Sequence, residues 1–331
     1  MKVCIISVRD VPIPYELQAL NLYQIKNGSL ADKAAKAFRF FDSILFIGSC
    51  AIAIKTLFRH LSDKMSDPSI LVSDEKFLNT VLLCGSHMAG GQRAGEKISS
   101  ALKNNFVFST ATDINGLTGI DLFCRDNCMT MEKKEILHIN TELLKGKQIE
   151  LSKDFSDFSL PKQYVLSETP KIRLNSYNSD SVSLYTKDFS IGVGFHKNTC
   201  ALELIREFQT SVPGWIRQRT GTIATIEKKY NTLVFHEFAR TCNIPFTVCC
   251  ETQNLDIAVR ELGLKENPVV RKNTGVGAVS EPCAFIASGK GKKIMEIKRK
   301  NCKFVVYQNK NIKPDKDPYN FEKVPEVFNE L

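Results

Sequence analysis

The sequence predicts an α/β protein of two domains, each a mixed or parallel sheet with helices on both faces, joined by a middle segment. Three observations carry this. Short apolar runs of strand length alternate with stretches of helical spacing over residues 1–122 and again over 187–310. Between Phe46 and Asp113, small or polar residues four times follow an apolar run: FIGSC, LSDKMSDP, CGSHMAGG and STATD. Strands of an open α/β sheet end in this way, and ligands bind beyond such ends. Residues 123–186 lose the alternation, and over 152–179 turn polar with Pro161 and Pro170, which marks a middle segment and linker.

Taken in order, residues 2–8 form a buried strand and 30–41, with its alanines among charges, a helix. Residues 43–47 are the second strand, broken at Gly48 and Ser49 before strong helix formers over 50–61. Asp67 precedes Pro68 and is pushed out of the helical region. Strands at 69–73 and 77–84 then join through a turn at Asp74 and Glu75, followed by a loop at 85–91, a helix over 92–102 and a strand at 106–109. In the middle segment only 132–145 has helical spacing. The second unit reads as strand 190–194, helix 199–209, strand 222–226, helix 231–242, strand 246–249, helix 256–262, a glycine loop at 275–277, helix 281–287, and strands 293–298 and 303–307. Residues 311–331 read as a charged, loosely held tail.

At 331 residues and 43% hydrophobic composition, the chain can bury a large core. Its net charge of +9 attracts anions. Part of the excess lies in GKGKKIMEIKRKNCK, residues 289–303, which also reads as a solvated lysine-rich face. A nucleic-acid partner would need basic residues interleaved with stacking aromatics, or a recognisable module, and neither is present. The longest apolar runs, such as 44–47 and 81–84, are too short to span a bilayer, so no membrane partner is expected. The opening MKVCIISVRD leads straight into a strand pattern and does not read as a signal peptide. Eleven cysteines, an odd number without a spaced framework, fit a reduced cytoplasm. Cys124 and Cys128, and the adjacent Cys249 and Cys250, make no zinc pattern, so buried thiols are expected and no metal site.

Each motif has a chemical and a plain reading. CGSHMAGG sets His87 among Gly85, Gly90 and Gly91, between strand and helix. Such glycines let backbone N–H groups approach an anion, and His87 can serve as acid, base or metal ligand near neutral pH. Equally, they can serve a packing turn with an exposed histidine. STATD places Thr110, Thr112 and Asp113 beyond a strand, to bind a carbonyl or orient water, or merely to cap a helix. Asp63 and Lys64 offer a base and a cation, or a surface ion pair. GVGFHKNT, with Gly192, Gly194, His196, Lys197 and Thr199, can grip a carboxylate or form an ordinary βα turn. NTGVGAVSEPCA brings Gly275, Gly277, Ser280 and Glu281 to a helix start. Neither a phosphate loop nor a complete dinucleotide fingerprint is present, which counts against a nucleotide cofactor and a sugar- or nucleotide-phosphate enzyme.

In this order and spacing, FIGSCAIAIK, LSDKMSDPSILVSDE, LLCGSHMAGG and STATD resemble the N-terminal domain of the cobalt-precorrin 5A hydrolase (CbiG) family of anaerobic cobalamin biosynthesis. IGVGFHKNT, IATIEKK, LVFHEFARTCNIPF, VGAVSEPCA and IMEIKRKN are similar to its C-terminal domain, and the likeness covers about residues 43–308. The histidine loop departs from the family pattern at Ser86, Ala89 and Gln92. The resemblance implies a hydrolase acting on a carbon–carbon bond. It opens the lactone of a cobalt tetrapyrrole and releases acetaldehyde, giving cobalt-precorrin 5B. Cobalt arrives with the substrate, and no cofactor is implied. The resemblance makes His87 and Asp113 the catalytic candidates. For binding the substrate's acetate and propionate arms it suggests Asp63, Lys64, Gly85, Gly90, Gly91, Thr110, Thr112, Gly192, Gly194, His196, Lys197, Thr199, Gly275, Gly277, Ser280, Glu281 and Lys298. The rival is a non-catalytic carrier that shelters a corrinoid intermediate for pathway methyltransferases.

Overall fold

Apolar runs with almost no polar interruption make the strands of the first sheet, as expected where both faces are covered. A computed structural model of the protein describes residues 1–63, 65–85, 87–176, 182–311 and 317–331. The first sheet comprises β1 (Val3–Ser7), β2 (Tyr23–Gln24), β3 (Ser43–Ile47), β4 (Ser69–Ser73), β5 (Asn79–Cys84) and β6 (Asn105–Val107), in the order β2-β1-β3-β4-β5-β6. All five residues of β1, β3 and β4 are buried. Only β4 and β5 pair antiparallel; the other neighbours are parallel. The reversal follows from the turn at Asp74, whose carboxylate accepts the N–H groups of Lys76, Leu78 and Asn79 at 2.9, 3.3 and 2.8 Å. Helix Leu30–Phe40 starts at a capping box of Ser29 and Asp32, and helix Cys50–Leu57 at the Ser49 hydroxyl. Val3, Ile5, Leu45, Leu71, Ala94 and Ile98 pack between sheet and helices.

The middle segment is no linker. Its chain forms a second sheet of β7 (Met129–Thr130), β8 (Ile149–Leu151), β9 (Tyr164–Leu166), β10 (Ile172–Leu174) and β11 (Val182–Thr186), in the order β7-β11-β10-β8-β9. Its core gathers Phe123, Ile136, Ile139, Leu151, Phe155 and Tyr164, with Met65 and Met88 packed against it. Polar composition there reflects one-sided burial of very short strands.

The expectation of a loosely held tail is also corrected for residues 317–331. The Glu322 N–H bonds to the Met1 carbonyl at 2.9 Å, the Met1 ammonium bonds to the Asn320 carbonyl at 3.0 Å, and Phe321 enters the first core. Three buried aromatics, Tyr319, Phe321 and Phe328, anchor this stretch.

Two compact units result: Met1–Thr186 with Asp317–Val324 and Leu331, and Lys187–Lys316 with Pro325–Glu330. The second holds β12 (Phe189–Phe195), β13 (Thr220–Ile226), β14 (Phe246–Cys250), β15 (Lys292–Lys298) and β16 (Cys302–Gln308), ordered β14-β13-β12-β16-β15. β12, β13 and β14 run parallel, β16 pairs antiparallel with β12, and β15 pairs antiparallel with β16. Phe208, Phe235, Phe238 and Phe304 fill one face, and helix Ser280–Ala287 covers the other. Among the described residues, no helix is long and apolar enough to cross a membrane.

Candidate functional site

The strongest chemical constellation forms beyond the carboxyl ends of two neighbouring parallel strands, β5 and β6. After β5 the chain must double back into helix Gly91–Leu102, and Gly85 and Gly90 both adopt φ of +77°. Gly85 also packs so closely on β4 that a Cβ there would lie 2.6 Å from the Ser69 Cα. The Gly90 and Gly91 N–H groups donate to the His87 and Gly85 carbonyls, each at 2.9 Å. Inside this cross-braced turn His87 is 7% exposed, and Met88 beside it packs on the second-sheet core.

After β6, Thr110 caps the short helix Ala111–Ile114, accepting the Asp113 N–H, while its hydroxyl donates to the Asp113 carboxylate. Asp113 thereby meets His87: its two oxygens lie 3.3 and 3.2 Å from Nε2. Thr112 is buried next to it, its hydroxyl 3.4 Å from that of Thr110. The second imidazole nitrogen has its own carboxylate, because Nδ1 lies 3.1 Å from Asp121 Oδ1. Asp121 lies in the first turn of helix Ile120–Asp126 and accepts from the Asn140 amide and the Leu122 N–H, both at 3.1 Å. Burial by itself lowers the His87 pKa, but the hydrogen bond to Asp121 and the charges of Asp121 and Asp113 outweigh it. The imidazole is therefore held above its ordinary value. For Asp121, burial raises the pKa, while its pairing with His87 and the Asn140 hydrogen bond pull more strongly; the net shift is downward. A buried imidazole between two carboxylates can hold a proton at neutral pH and pass it along the Nε2–Asp113 contact.

Residues 32–113 match the family described as Cobalamin synthesis G N-terminal, and residues 189–306 match Cobalamin synthesis G C-terminus. The chain belongs to the CbiG family. Among its relatives is a Methanocaldococcus jannaschii protein named "Probable cobalt-precorrin-5A hydrolase", 24% identical over 87% of this chain and 89% of that protein. The cobalt-precorrin-5A hydrolase of Salmonella typhimurium is 24% identical over 79% of this chain and 80% of its own. A crystal structure of a cobalamin biosynthesis protein G homolog from Sulfolobus solfataricus aligns over 93% of this chain and 97% of that one, at 19% identity and a TM-score of 0.41.

Within this CbiG-family chain, His87, Gly85, Gly90, Gly91, Thr110, Thr112 and Asp113 fall in one neighbourhood. Asp63 instead forms an exposed ion pair with Lys133 at 3.1 Å and accepts the Met65 N–H at 2.9 Å. Lys64 lies outside the described residues.

In the second unit, Gly192 and Gly194 lie within β12 and not in a loop. A Cβ on Gly192 would sit 1.7 Å from the Ser280 carbonyl oxygen, so that glycine admits a helix. The turn after β12 is tied to Asn301, whose carbonyl accepts the His196 N–H at 2.9 Å and the buried Thr199 hydroxyl at 3.3 Å. His196 and Lys197 stay exposed. Gly275, at φ +83°, ends helix Pro268–Thr274, and Gly277 packs on Glu266. Ser280 and Glu281 open helix Ser280–Ala287; both are buried, and Glu281 accepts from Lys293 at 2.8 Å and from the Tyr307 hydroxyl at 3.3 Å. Lys298, at the end of β15, is exposed opposite Lys303.

Sequence reading missed Asp121 and Asn140. The one available signal was an acidic residue in the first turn of a helix, which the helix dipole accounts for without any partner.

Proposed function

We propose that this protein hydrolyses cobalt-precorrin 5A to cobalt-precorrin 5B and acetaldehyde, in the cytoplasm, with His87 and Asp113 as its proton-transferring groups. The observation that carries the reading is the buried pair itself: His87 Nε2 lies 3.2 Å from Asp113 Oδ2 beyond the ends of adjacent parallel strands. The names of the relatives support the substrate, and the absence of a disulfide among the eleven cysteines supports a reducing compartment.

Asp113 orients a water whose oxygen adds to the lactone carbonyl carbon, and takes the proton released. The acyl–oxygen bond breaks, and His87 gives its Nε2 proton to the departing oxygen. That hydroxyl then loses its proton to the pair, its C–O becomes a carbonyl, and the adjacent carbon–carbon bond breaks. The electron pair passes into the macrocycle and acetaldehyde leaves. One water is consumed, and the second proton now held by the pair leaves to solvent, which returns the pair to imidazolium beside carboxylate. Thr110 and Thr112 line this centre as hydroxyl donors. The substrate brings its own cobalt, and the reading assigns the protein no cofactor.

General acid–base groups contribute about 10²–10⁴-fold to rate. His87→Ala, folded by circular dichroism, is expected to lower acetaldehyde release from cobalt-precorrin 5A by that factor in a coupled aldehyde assay. Release at the wild-type rate refutes the assignment of His87. If the wild-type protein binds the pigment tightly without releasing aldehyde, it is a carrier and not a hydrolase.

A further inference from the structure

We propose that Asp121 is a positioning residue that fixes a proton on His87 Nδ1, so that the proton this site exchanges is the one between Nε2 and Asp113. The two carboxylates around the ring are unequally supported. Asp121 Oδ1 accepts from His87, from the Asn140 amide and from the Leu122 N–H, each at 3.1 Å. Asn140 is itself held, its Oδ1 accepting the Ile120 N–H at 2.8 Å. The carboxylate is therefore braced by two helices, Ile120–Asp126 and Lys133–Leu144. Space is also closed around it, since a Cβ on Gly119 would lie 2.6 Å from its Oδ1. Donors on a carboxylate favour its charged form, so Asp121 stays ionised and Nδ1 must present a hydrogen. The acceptors of Asp113 have His87 and the Thr110 hydroxyl.

Below the His87 midpoint, proton positions then reduce to two. With Nδ1–H fixed, the contact to Asp113 holds one proton, either on Nε2 as imidazolium beside carboxylate or on Asp113 beside neutral imidazole. A pairing with no proton would set two lone pairs against each other at 3.2 Å. The groups facing this trio leave its charge unaltered near neutral pH. The Cys124 thiol and the Tyr164 phenol next to Asp121 are both pushed upward, chiefly by burial, and remain neutral. Arg125 directs its guanidinium to the Met88 carbonyl at 3.2 Å.

The inference deepens the hydrolase reading, but its first test needs no substrate. In the full chain labelled with ¹⁵N-histidine, the His87 ring nitrogens are followed by NMR from pH 5 to 9. Nδ1 is expected to stay protonated throughout, with any titration confined to Nε2. Asp121→Asn keeps an acceptor but removes the charge, and is expected to lower the His87 midpoint by a unit or more. The matching limb of the acetaldehyde-release pH profile should move with it, at unchanged KM. A wild-type ring carrying its hydrogen on Nε2 alone overturns the proposal, whether or not the variant folds. So does Asp121→Asn with an unshifted midpoint and pH profile. If the wild-type protein releases no aldehyde, the hydrolase reading fails while the NMR result still decides this one.

Discussion

Gly192→Ala tests whether the glycines of GVGFHKNT serve packing or a ligand. The new methyl carbon would sit 1.7 Å from the Ser280 carbonyl oxygen and 2.6 Å from the Ala284 nitrogen. Both are backbone atoms, so no side-chain rotation relieves the overlap. A tolerable carbon–oxygen contact is about 3.3 Å, and helix Ser280–Ala287 must therefore withdraw by about 1.5 Å. A gap of 0.5–1 Å already forfeits a quarter to a half of the dispersion energy of the atoms it separates. Here the separated atoms include Ala224, Ile226, Cys283 and Ala284 in the cores beneath the helix. We expect a destabilisation near the top of the overpacking range, about 3 kcal/mol, which for a unit of this size lowers Tm by roughly 10 °C. Gly194, two residues along the same strand, supplies the control. Its nearest neighbour would be the Ser280 Cβ at 3.7 Å, an ordinary contact. Gly194→Ala should leave stability unchanged or raise it by up to about 1 kcal/mol. Thermal melts by circular dichroism compare the two. A Gly192→Ala variant that melts within about 1 °C of wild type but binds the tetrapyrrole poorly would refute the packing argument.

The tail gives a second prediction. Phe321→Ala removes a buried ring from the first core and should cost about 3–5 kcal/mol, read as a lower urea midpoint; an unchanged midpoint would mean the tail contributes nothing. The His87–Asp121 pair gives a third. The raised His87 pKa contributes stability that is present below the unfolded value of about 6.5 and lost as pH climbs through the folded one. The lowered Asp121 pKa contributes stability present above about 3.9 and lost as pH falls through its folded value. The stability gap between wild type and His87→Gln should therefore be larger at pH 5.5 than at pH 9 in urea titrations. A gap that does not change over that range would contradict the charge pairing.

The buried strands β1, β3 and β4 were legible because parallel strands covered on both faces read as uninterrupted apolar runs. Helix Leu30–Phe40 was legible through its periodicity, with Ala34, Ala37 and Phe40 as its buried face. The second sheet was not. β8, β9 and β10 have three residues each, below the length at which alternation separates a strand from a loop. The tail failed for a related reason: Tyr319, Phe321 and Phe328 follow neither helical nor strand spacing, and what orders them is distant in the chain, the Tyr319 hydroxyl donating to Asp126, Phe321 entering the first core and Phe328 packing on His236. At the site, His87 and Asp113 stood out because each follows a strand. Asp121 is 34 positions from His87 and lies in no such place, so only the folded chain joins them.

The site also revises what the glycine-rich loop is for. As sequence, CGSHMAGG suggests N–H groups offered to an anion. In the structure the Gly90 and Gly91 N–H groups are already donated to carbonyls of the same loop, and an anion there would have to displace two hydrogen bonds. Gly85 is constrained twice, by a left-handed φ and by the Ser69 Cα against its open face. These features hold one imidazole at a fixed place. That imidazole, when protonated, sits between two carboxylates, leaving the trio with one negative charge in excess. Such a centre repels carboxylates. The acetate and propionate arms of the proposed substrate must be met by cations elsewhere, for which a net charge of +9 provides, while the centre itself is left to move protons.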